Sequence, residues 1–380
     1  MLKVLHVVNI SFVLPYYIGE QFTFFKSKGI NFYVACSDSE HLRQYANEKE
    51  FTAIPLPILR SINPFQDVKS ILELRDFIKK NEIDIVFGHT PKGALIGIAA
   101  GYLSGVKRRV YFRHGLMYET AKGFKRFVLK KIEQITSNLA TDVVCVSQSV
   151  INKSNTEGLN NPTKNTLLSK GTCNGIDSDK FSLLKLSTNK QQELIKTYNL
   201  DVSDRVIGYV GRLVNDKGIN ELVGSWKLLL EEFDNIKLLL VGPFEERDGL
   251  SSEIRDFIVN EPSVIYAGMI ADVRPFYGLM DIFILPSLRE GFPTVVLEAS
   301  SMELPVITTK STGCIDSIVE NVTGLYTEIS STAIAEKVRE YLINENLAKE
   351  HGINGRKFVV ENFNQRIIWS EIERKFLNGD

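Results

Sequence analysis

Cysteine is scarce in this chain of 380 residues, and its four copies lie far apart. They form no C-x-x-C pair, and histidine and cysteine nowhere show the spacing of a zinc site. The sequence therefore indicates buried thiols rather than a disulfide or metal framework, and a reducing, cytoplasmic location. The four residues are Cys36, Cys145, Cys173 and Cys314.

Long hydrophobic runs are also missing. The longest, at 94–106, falls short of the ~18 residues that a membrane-spanning helix requires. The apolar start of the chain is interrupted by His6 and Asn9 and is too short for the core of a signal peptide. We therefore expect neither a membrane-spanning helix nor an export signal, and we find no internal repeat or low-complexity tract.

No excess of either charge sign is present. The chain has 45 Lys and Arg against 46 Asp and Glu, a formal net charge of -1, so its overall charge gives no reason to expect nucleic-acid binding. Hydrophobic residues make up 44% and charged residues 24%, which is typical of a folded, water-soluble protein. The length predicts about two domains, with room for a cleft between them.

The chain does have a repeated alternation of strands and helices, which predicts an α/β fold with doubly wound parallel sheets. Strands are expected at 3–9, 31–36, 83–87, 109–112, 206–210, 237–241, 264–266, 282–285 and 306–308. Helices are expected at 16–28, 68–80, 93–103, 219–231, 250–260 and 294–302.

The alternation breaks at 175–204, where polar residues dominate and one short helix, 190–198, is expected. This segment predicts a Rossmann-like domain at 1–175 and a second at 176–362, with a C-terminal helix at 363–380 that packs back on the first. Ligands of such sheets bind at the carboxyl ends of the strands, so chemistry is expected there.

Two cations follow the strand that ends at Val210, in the sequence G-R-L-V-N-D-K-G. Arg212 offers a planar fork of donors and Lys217 a compact positive charge, and the helix that follows adds backbone N–H groups. This combination suits a diphosphate. The alternative is an ordinary solvated basic turn.

Two carboxylates frame a second motif, E-G-F-P-T-V-V-L-E, which follows the strand-like I-F-I-L-P-S and opens a helix. Gly291 permits close backbone approach, and Pro293 is expected in the first helical turn. Glu290 on the loop and Glu298 inside the helix could contact different parts of one extended ligand, for example by accepting hydrogen bonds from sugar hydroxyls. The spacing alone could arise by chance, and its position after a strand favours a site.

In this order, G-R-L-x-x-x-K-G and E-G-F-P-x-x-x-x-E resemble the donor-binding domain of the large retaining GT-B glycosyltransferase family numbered four. Supporting stretches are V-G-P, Y-A-G-M and N-G-I-D-x-x-x-F, so the resemblance covers most of the C-terminal half. The N-terminal half resembles transferases of bacterial capsule and surface-polysaccharide assembly through R-S-I-N-P-F, H-T-P-K-G and R-H-G. The resemblance implies two Rossmann-like domains that face each other across a cleft.

The resemblance also implies roles for individual residues. Arg212 and Lys217 would neutralise the donor diphosphate, and Glu290 would contact the transferred sugar. Glu298 would hold the ribose hydroxyls. Further donor contacts are expected at Gly211, Gly242, Met269, Gly291, Phe292, Pro293 and Thr294.

On the acceptor side, the resemblance implies that His114 faces the reaction centre. The alternative is a strand-end histidine that is hydrogen-bonded locally. His89 is a second acceptor-site candidate, and Lys92 would position an acceptor phosphate.

The chain departs from the family pattern at two places. Residues 10–18 read I-S-F-V-L-P-Y-Y-I where relatives carry a glycine-rich loop, and 311–316 read S-T-G-C-I-D where relatives often have paired glycines and a glutamate. A D-x-D pair, Asp177 and Asp179, is interpreted as turn or cap residues rather than a metal site, because Arg212 and Lys217 already supply positive charge.

The stretch from Lys122 to Lys131 interleaves four lysines and an arginine with phenylalanine, valine and leucine. This pattern suits an anionic membrane surface, and the alternative is an ordinary helix with a solvated basic face. We expect peripheral contact with the inner face of the plasma membrane.

The resemblance thus implies a retaining, metal-independent hexosyltransferase without a cofactor. Its expected donor is a nucleotide-diphosphate sugar, UDP-linked, and its expected acceptor is a lipid-linked glycan of capsular or surface polysaccharide. A nucleotide-sugar epimerase of the same architecture and a non-catalytic sugar-nucleotide-binding protein are the alternatives. No G-x-G-x-x-G follows the first strand, which argues against a nicotinamide enzyme.

Overall fold

A computed structural model of the chain describes residues 1–59, 63–246 and 248–378. The chain forms two compact units, one of Met1–Gly175 with Arg366–Asp380 and one of Ile176–Gln365. Each unit is built on a parallel sheet. The predicted fold class is therefore confirmed.

The first unit contains a seven-stranded sheet in the order β3-β2-β1-β4-β5-β6-β7. All described pairings in this sheet are parallel, and buried valine, isoleucine and leucine side chains fill its central strands. The strands are β1 Leu2–Val7, β2 Ile30–Cys36, β3 Thr52–Pro55, β4 Ile85–Gly88, β5 Arg108–Arg113, β6 Asp142–Cys145 and β7 Asn165–Thr166.

Helices connect these strands, and the C-terminal segment returns to the same unit. Its helix carries Trp369, whose buried indole donates to the Asn174 carbonyl at 3.1 Å. The helices are α1 Leu14–Tyr17, α2 Gln21–Lys26, α3 Glu40–Lys49, α4 Pro64–Asn81, α5 Pro91–Leu103, α6 Gly123–Leu139, α7 Gln148–Thr156 and, at the C-terminal end, α15 Gln365–Ile372 with a π-helical turn Glu373–Leu377.

The helix predicted at 16–28 is two short helices, α1 and α2. Gly19 lies between them with φ 53, and a Cβ atom there would come within 2.7 Å of the Pro15 carbonyl oxygen. The aromatic spacing therefore corresponds to two helical segments, and the left-handed conformation of Gly19 separates them.

Among the described residues, no helix combines the length and the hydrophobicity needed to span a membrane.

The second unit contains a six-stranded parallel sheet in the order β10-β9-β8-β11-β12-β13. Its strands are β8 Arg205–Val210, β9 Ile236–Val241, β10 Val264–Gly268, β11 Ile282–Leu285, β12 Val306–Thr309 and β13 Gly324–Thr327. Its helices are α8 Thr188–Thr197, α9 Ile219–Leu229, α10 Ser252–Asn260, α11 Arg274–Tyr277, α12 Thr294–Ser301, α13 Ser331–Ile343 and α14 Glu345–Phe363.

Both sheets reverse their winding direction at one point. In the first unit the chain winds outward from β1 to β3 and then from β4 to β7 on the other side. In the second unit it winds from β8 to β10 and then from β11 to β13. Such a switch point leaves a crevice at the carboxyl ends of the two central strands, where ligands of doubly wound sheets bind.

Candidate active site

The loop after β8 carries the first predicted cation. Gly211 has φ 152, and the buried Tyr209 hydroxyl donates to the Arg212 carbonyl at 2.9 Å, which fixes the turn. The Arg212 guanidinium is half exposed and donates to Glu245 Oε2 at 2.8 Å. Burial lowers the pKa of Arg212, but the Glu245 hydrogen bond and the charges of Asp216 and Glu290 outweigh it and raise the pKa.

Lys217 closes a short 3-10 turn, Asn215–Lys217, directly before α9. Gly218 follows with φ 73 and is the N-cap of α9, and a Cβ atom there would lie 2.2 Å from the Pro286 carbonyl oxygen. Glycine is therefore required both by the turn and by the close approach to the end of β11. Because Gly218 has no side chain to cap α9, the first N–H groups of this helix stay available to an anion.

Glu290 meets Lys217 across the switch point. The two side chains form an ion pair, and each is only 15% exposed. The Ser287 hydroxyl also donates to Glu290 Oε1, at 2.9 Å. Since the charge of Glu290 also acts on Arg212, the structure brings three of the predicted site residues into one electrostatic cluster.

The segment that departs from the family pattern, 311–316, supports the Glu290 loop. The Glu290 N–H donates to the Thr312 carbonyl at 2.8 Å. Gly313 has φ 81, and a Cβ atom there would lie 2.5 Å from the Gly291 carbonyl oxygen. The Ser311 hydroxyl donates to the Ser287 carbonyl at 2.8 Å. Hydroxyl side chains and one glycine therefore hold this loop in place.

Glu298 lies inside α12 and is buried. It accepts a hydrogen bond from the Tyr277 hydroxyl at 2.8 Å. Burial raises the pKa of Glu298 to about 7, although the Tyr277 hydrogen bond acts in the opposite direction. This carboxyl group therefore keeps its proton to a higher pH than an ordinary glutamate does.

The remaining motif residues surround the start of α12. Pro293 is its N-cap, one residue earlier than the predicted first turn, and Thr294 is its first residue. The Phe292 ring packs against Phe363 at a centroid distance of 5.2 Å, so the side chain belongs to the core while its backbone stays beside Gly291.

The loops after β9 and β10 complete this edge. Gly242 has φ 142, and a Cβ atom there would lie 1.9 Å from the Gly211 carbonyl oxygen. Its N–H donates to the Gly268 carbonyl at 2.8 Å. Met269 follows β10 directly and is 68% exposed. These residues line up along the carboxyl edge that carries Arg212.

In the first unit, three histidines form a hydrogen-bonded chain across the switch point. His6 Nδ1 and His89 Nε2 are 3.0 Å apart, and His89 Nδ1 and His114 Nε2 are also 3.0 Å apart. His6 lies in β1, His89 follows β4 and His114 follows β5, so the chain crosses three neighbouring strands. His6 and His89 are buried, and His114 is half-buried.

Aromatic rings enclose this chain. The Tyr17 ring stacks on His114 at 3.6 Å, and the Phe112 ring stacks on His89 at 4.7 Å. Burial lowers the pKa of His89 to about 3. Burial and then the neighbouring His89 hold the pKa values of His6 and His114 well below the ordinary value. All three imidazoles are therefore neutral at pH 7.

The H-T-P-K-G motif turns the chain from β4 into α5. Thr90, its N-cap, has φ 58, an unusual conformation for a β-branched residue, and its hydroxyl accepts from the Gly93 N–H at 3.3 Å. A Cβ atom on Gly93 would lie 2.8 Å from the Val8 Cα atom. The Lys92 ammonium pairs with Asp67 of α4. The motif therefore places His89 and the start of α5 tightly against β1.

Arg113 precedes His114 and is fully buried. It donates to Glu133 Oε2 at 3.2 Å and to the Ser154 hydroxyl at 2.8 Å. The Tyr111 hydroxyl also donates to Glu133, at 2.9 Å. This buried network fixes the end of β5, from which His114 projects.

Several residues of these arrangements were not predicted as site residues: His6, Tyr17, Glu133, Tyr277 and Glu245. His6 carried the clearest signal, because it interrupts an apolar strand.

Two further motifs of the sequence analysis lie outside these arrangements. Of R-S-I-N-P-F, residues 60–62 lie outside the described residues, while Asn63 caps α4 by accepting from the Gln66 N–H at 3.2 Å. Asp177 accepts from the Lys180 N–H at 3.0 Å, a turn hydrogen bond.

The basic stretch forms the first half of α6. Phe124 is 80% and Phe127 57% exposed, so two aromatic rings point outward among the lysines. Arg126 and Lys130 both pair with Glu157.

In the part of the chain that the structure describes, no group of three or more His, Cys, Asp or Glu side chains could hold a metal ion.

Two doubly wound parallel sheets, with Arg212 and Lys217 on the loop at the carboxyl edge of the second, are consistent with the architecture of a GT-B glycosyltransferase. A solved glycosyltransferase from Rickettsia africae ESF-5 matches this fold with a TM-score of 0.79 and 22% identity, covering 100% of this chain and 99% of that one. The sequence model of the family described as "Glycosyl transferases group 1" matches residues 190–358, and that of "Glycosyl transferase 4-like" matches residues 3–147.

Curated relatives agree over most of the chain. The capsular polysaccharide biosynthesis glycosyltransferase CapM of Staphylococcus aureus is 38% identical over 98% of this chain and 96% of its own length. The UDP-Gal:alpha-D-GlcNAc-diphosphoundecaprenol alpha-1,3-galactosyltransferase of Escherichia coli is 26% identical over 77% of this chain and 75% of its own length. The chain belongs to the group 1, type 4-like family of glycosyltransferases, as the motifs predicted.

Proposed function

We propose that this glycosyltransferase moves a hexose or hexosamine from a nucleotide-diphosphate sugar, UDP-linked, to a lipid-linked glycan in capsular or surface-polysaccharide assembly. The names of the relatives support each part. The Staphylococcus aureus relative is a capsular polysaccharide enzyme, and the Escherichia coli relative is named for a UDP-sugar donor and a diphosphoundecaprenol acceptor.

The observation that carries the proposal is the cluster of Arg212, Lys217 and Glu290 at the switch point of the second sheet. A diphosphate would compete with Glu290 for the Lys217 ammonium, and the released carboxylate could then accept from a sugar hydroxyl. The uncapped starts of α9 and α12 would add backbone N–H groups to the same anion.

We propose retention at the anomeric carbon from the resemblance to a retaining family, and the same cluster supports departure of the diphosphate. Arg212 and Lys217 stabilise the charge that develops on the leaving diphosphate, which itself accepts the proton of the acceptor hydroxyl. In the proposed step the acceptor hydroxyl attacks the anomeric carbon directly, so no protein nucleophile is used, and the two side chains supply the positive charge that a metal ion would otherwise provide. Glu298, held by Tyr277, would accept from the ribose hydroxyls.

The acceptor side of the proposal places His114 at the sugar and Lys92 near an acceptor phosphate. Lys92 is already paired with Asp67, so a phosphate would have to share the ammonium. We also propose that the outward rings and lysines of α6 contact an anionic membrane surface that carries the lipid-linked acceptor.

Donor screening by mass spectrometry tests the proposal. Full-length protein is incubated with UDP- and GDP-linked sugars and a polyprenyl-diphosphate sugar acceptor, and we expect the acceptor mass to rise by one hexose or N-acetylhexosamine with a UDP donor. A donor that is epimerised without acceptor would indicate the epimerase instead. Binding of UDP-sugars without turnover across the whole panel would indicate a non-catalytic binding protein.

A further inference from the structure

We propose that His6 and His89 are positioning residues that hold His114 as a neutral imidazole with its hydrogen atom on Nδ1, where it donates to an oxygen atom of the bound sugar. The sugar ligand rests on the function proposed above. The arrangement of the hydrogen atoms in the three rings is a property of the protein alone, and it can be measured without substrate.

His6, at the buried end of the three hydrogen-bonded histidines, determines which ring nitrogen atoms carry hydrogen. His6 Nε2 is buried and has no hydrogen-bond partner among the residues that the structure describes. The rings of Phe22, Phe32 and Phe87 lie at centroid distances of 5.8, 5.5 and 5.1 Å from the His6 ring. A hydrogen atom on Nε2 would be a stranded donor, which costs about 1–3 kcal/mol. His6 therefore carries its hydrogen on Nδ1.

The hydrogen position on His6 determines the hydrogen positions on His89 and then on His114. His6 Nδ1 donates to His89 Nε2, so the neutral His89 carries its own hydrogen on Nδ1. His89 Nδ1 then donates to His114 Nε2, which leaves the hydrogen of His114 on Nδ1 as well. The opposite direction would require a donor on His6 Nε2, among the phenylalanine rings.

The closed inner end also excludes a proton relay. In this arrangement His114 Nδ1 already carries a hydrogen atom and cannot take up a proton from the sugar side, and no donor faces His6 Nε2 among the described residues to supply one from the other end. The titratable groups seen against His114 are His89 and the stacked Tyr17, and burial disfavours a charged ring. His114 is thus a hydrogen-bond donor to the sugar, whereas the leaving diphosphate takes the proton.

Nitrogen NMR of full-length protein labelled with [15N]histidine tests the hydrogen positions directly. The five histidines are assigned with single His→Gln variants. We expect His6, His89 and His114 to show a protonated Nδ1 and an unprotonated Nε2, and not to titrate between about pH 5 and about pH 8. A hydrogen on Nε2 of His114, or a titration of His114 in this range, would overturn the proposal.

Three variants test how the chain acts. His89→Leu cuts it and leaves the hydrogen of His114 free to occupy either nitrogen, while burial still disfavours a charged ring. We therefore expect a mixture of the Nδ1–H and Nε2–H forms of His114, and kcat to fall about tenfold with little change in the donor KM. His6→Asn gives the inner end an acceptor, so His114 should populate the Nε2–H form. His351→Leu removes another buried histidine, bonded to Tyr341 at 2.7 Å, and should lower stability without moving the His114 signals.

The histidine NMR spectra and the measured kcat together distinguish failure of this proposal from failure of the proposed function. If the hydrogen positions hold in the wild-type protein but His89→Leu keeps full kcat while its His114 shows the Nε2–H form, donation to the sugar is wrong. If no donor or acceptor gives turnover, the proposed function fails while the NMR result still stands or falls by itself.

Discussion

The carboxyl edges of the two sheets occupy equivalent positions in two similar topologies, yet they carry opposite kinds of chemistry. In the second unit the switch point holds an ion pair, Lys217 with Glu290, beside the Arg212–Glu245 pair. In the first unit it holds three neutral imidazoles in a row. A pyrophosphate needs compensating charge, whereas sugar hydroxyls need neutral donors and acceptors, so the contrast matches the two halves of a transfer reaction.

The two edges also differ in where their charges are buried. Lys217 and Glu290 are each 15% exposed, so solvent reaches part of both side chains. Arg113 and Glu133 of the first unit are 0% and 4% exposed and lie behind His114. One pair is therefore partly in contact with solvent, whereas the other is enclosed and fixes a strand end.

The largest expected effect concerns this buried pair. Glu133→Leu should lower the free energy of unfolding of the first unit by about 3–5 kcal/mol, because Arg113 remains buried without its carboxylate. The chain has two tryptophans, and in a Trp226→Phe background Trp369 reports on the first unit by fluorescence during urea unfolding. Glu157→Gln, which breaks more exposed pairs, is the control. If both variants lost the same free energy of unfolding, the Arg113–Glu133 pair would not be the special structural support that its burial indicates.

The charged edge is tested by Lys217→Met. We expect kcat to fall by about 10²–10³-fold, because a positive charge on the leaving diphosphate is lost. Lys190→Met removes an exposed lysine paired with Glu193 and should leave kcat unchanged. The double variant Lys217→Met/Glu290→Gln removes both charges, so it should regain stability without regaining turnover. A near-normal rate for Lys217→Met would remove the basis of the proposed function.

Glu298 shows that the second unit also holds one carboxyl group close to neutral. Burial raises its pKa from the ordinary 4.5 to about 7, so between these values the folded state binds more protons than the unfolded state. Stability therefore falls as pH rises through this window, by about 2–3 kcal/mol in total. Glu298→Gln should flatten this slope in urea unfolding followed through Trp226, whereas Glu328→Gln on the surface should not. An unchanged slope would show that Glu298 is ionised when folded.

Much of the fold could be predicted because apolar runs and turn residues are local signals. The strand at 282–285 was predicted with its observed bounds, and β8 differs from the prediction by one residue. The strands β3, β6, β7 and β13 were not predicted. The equally short β11 is continuously apolar, I-F-I-L, whereas these four runs include polar residues, proline or glycine and so give no clear apolar signal. The break in the first helix depends on the contact between Gly19 and Pro15.

The site residues likewise fall into two groups, those that local motifs reveal and those that only strand pairing brings together. Arg212, Lys217, Glu290 and Glu298 lie in motifs whose spacing is visible in one stretch of sequence. The partnership of His6 and His89 joins residues 83 positions apart, and it exists only because β1 pairs with β4 in the register that places His6 opposite Phe87. A contact created by strand register leaves no local pattern to find.

The smallest expected effect tests whether the first unit, unlike the second, also contacts lipid. Lys125, beside the exposed Phe124 on α6, should contribute about 1 kcal/mol to binding of an anionic surface. Lys125→Gln should therefore weaken binding to phosphatidylserine-containing vesicles about fivefold in sedimentation, and binding to phosphatidylcholine vesicles should stay weak for both proteins. Lys190→Gln on the second unit is the matched control. If both variants bind like the wild type, the lysines of α6 form an ordinary solvated face, and the difference between the units is confined to their sheet edges.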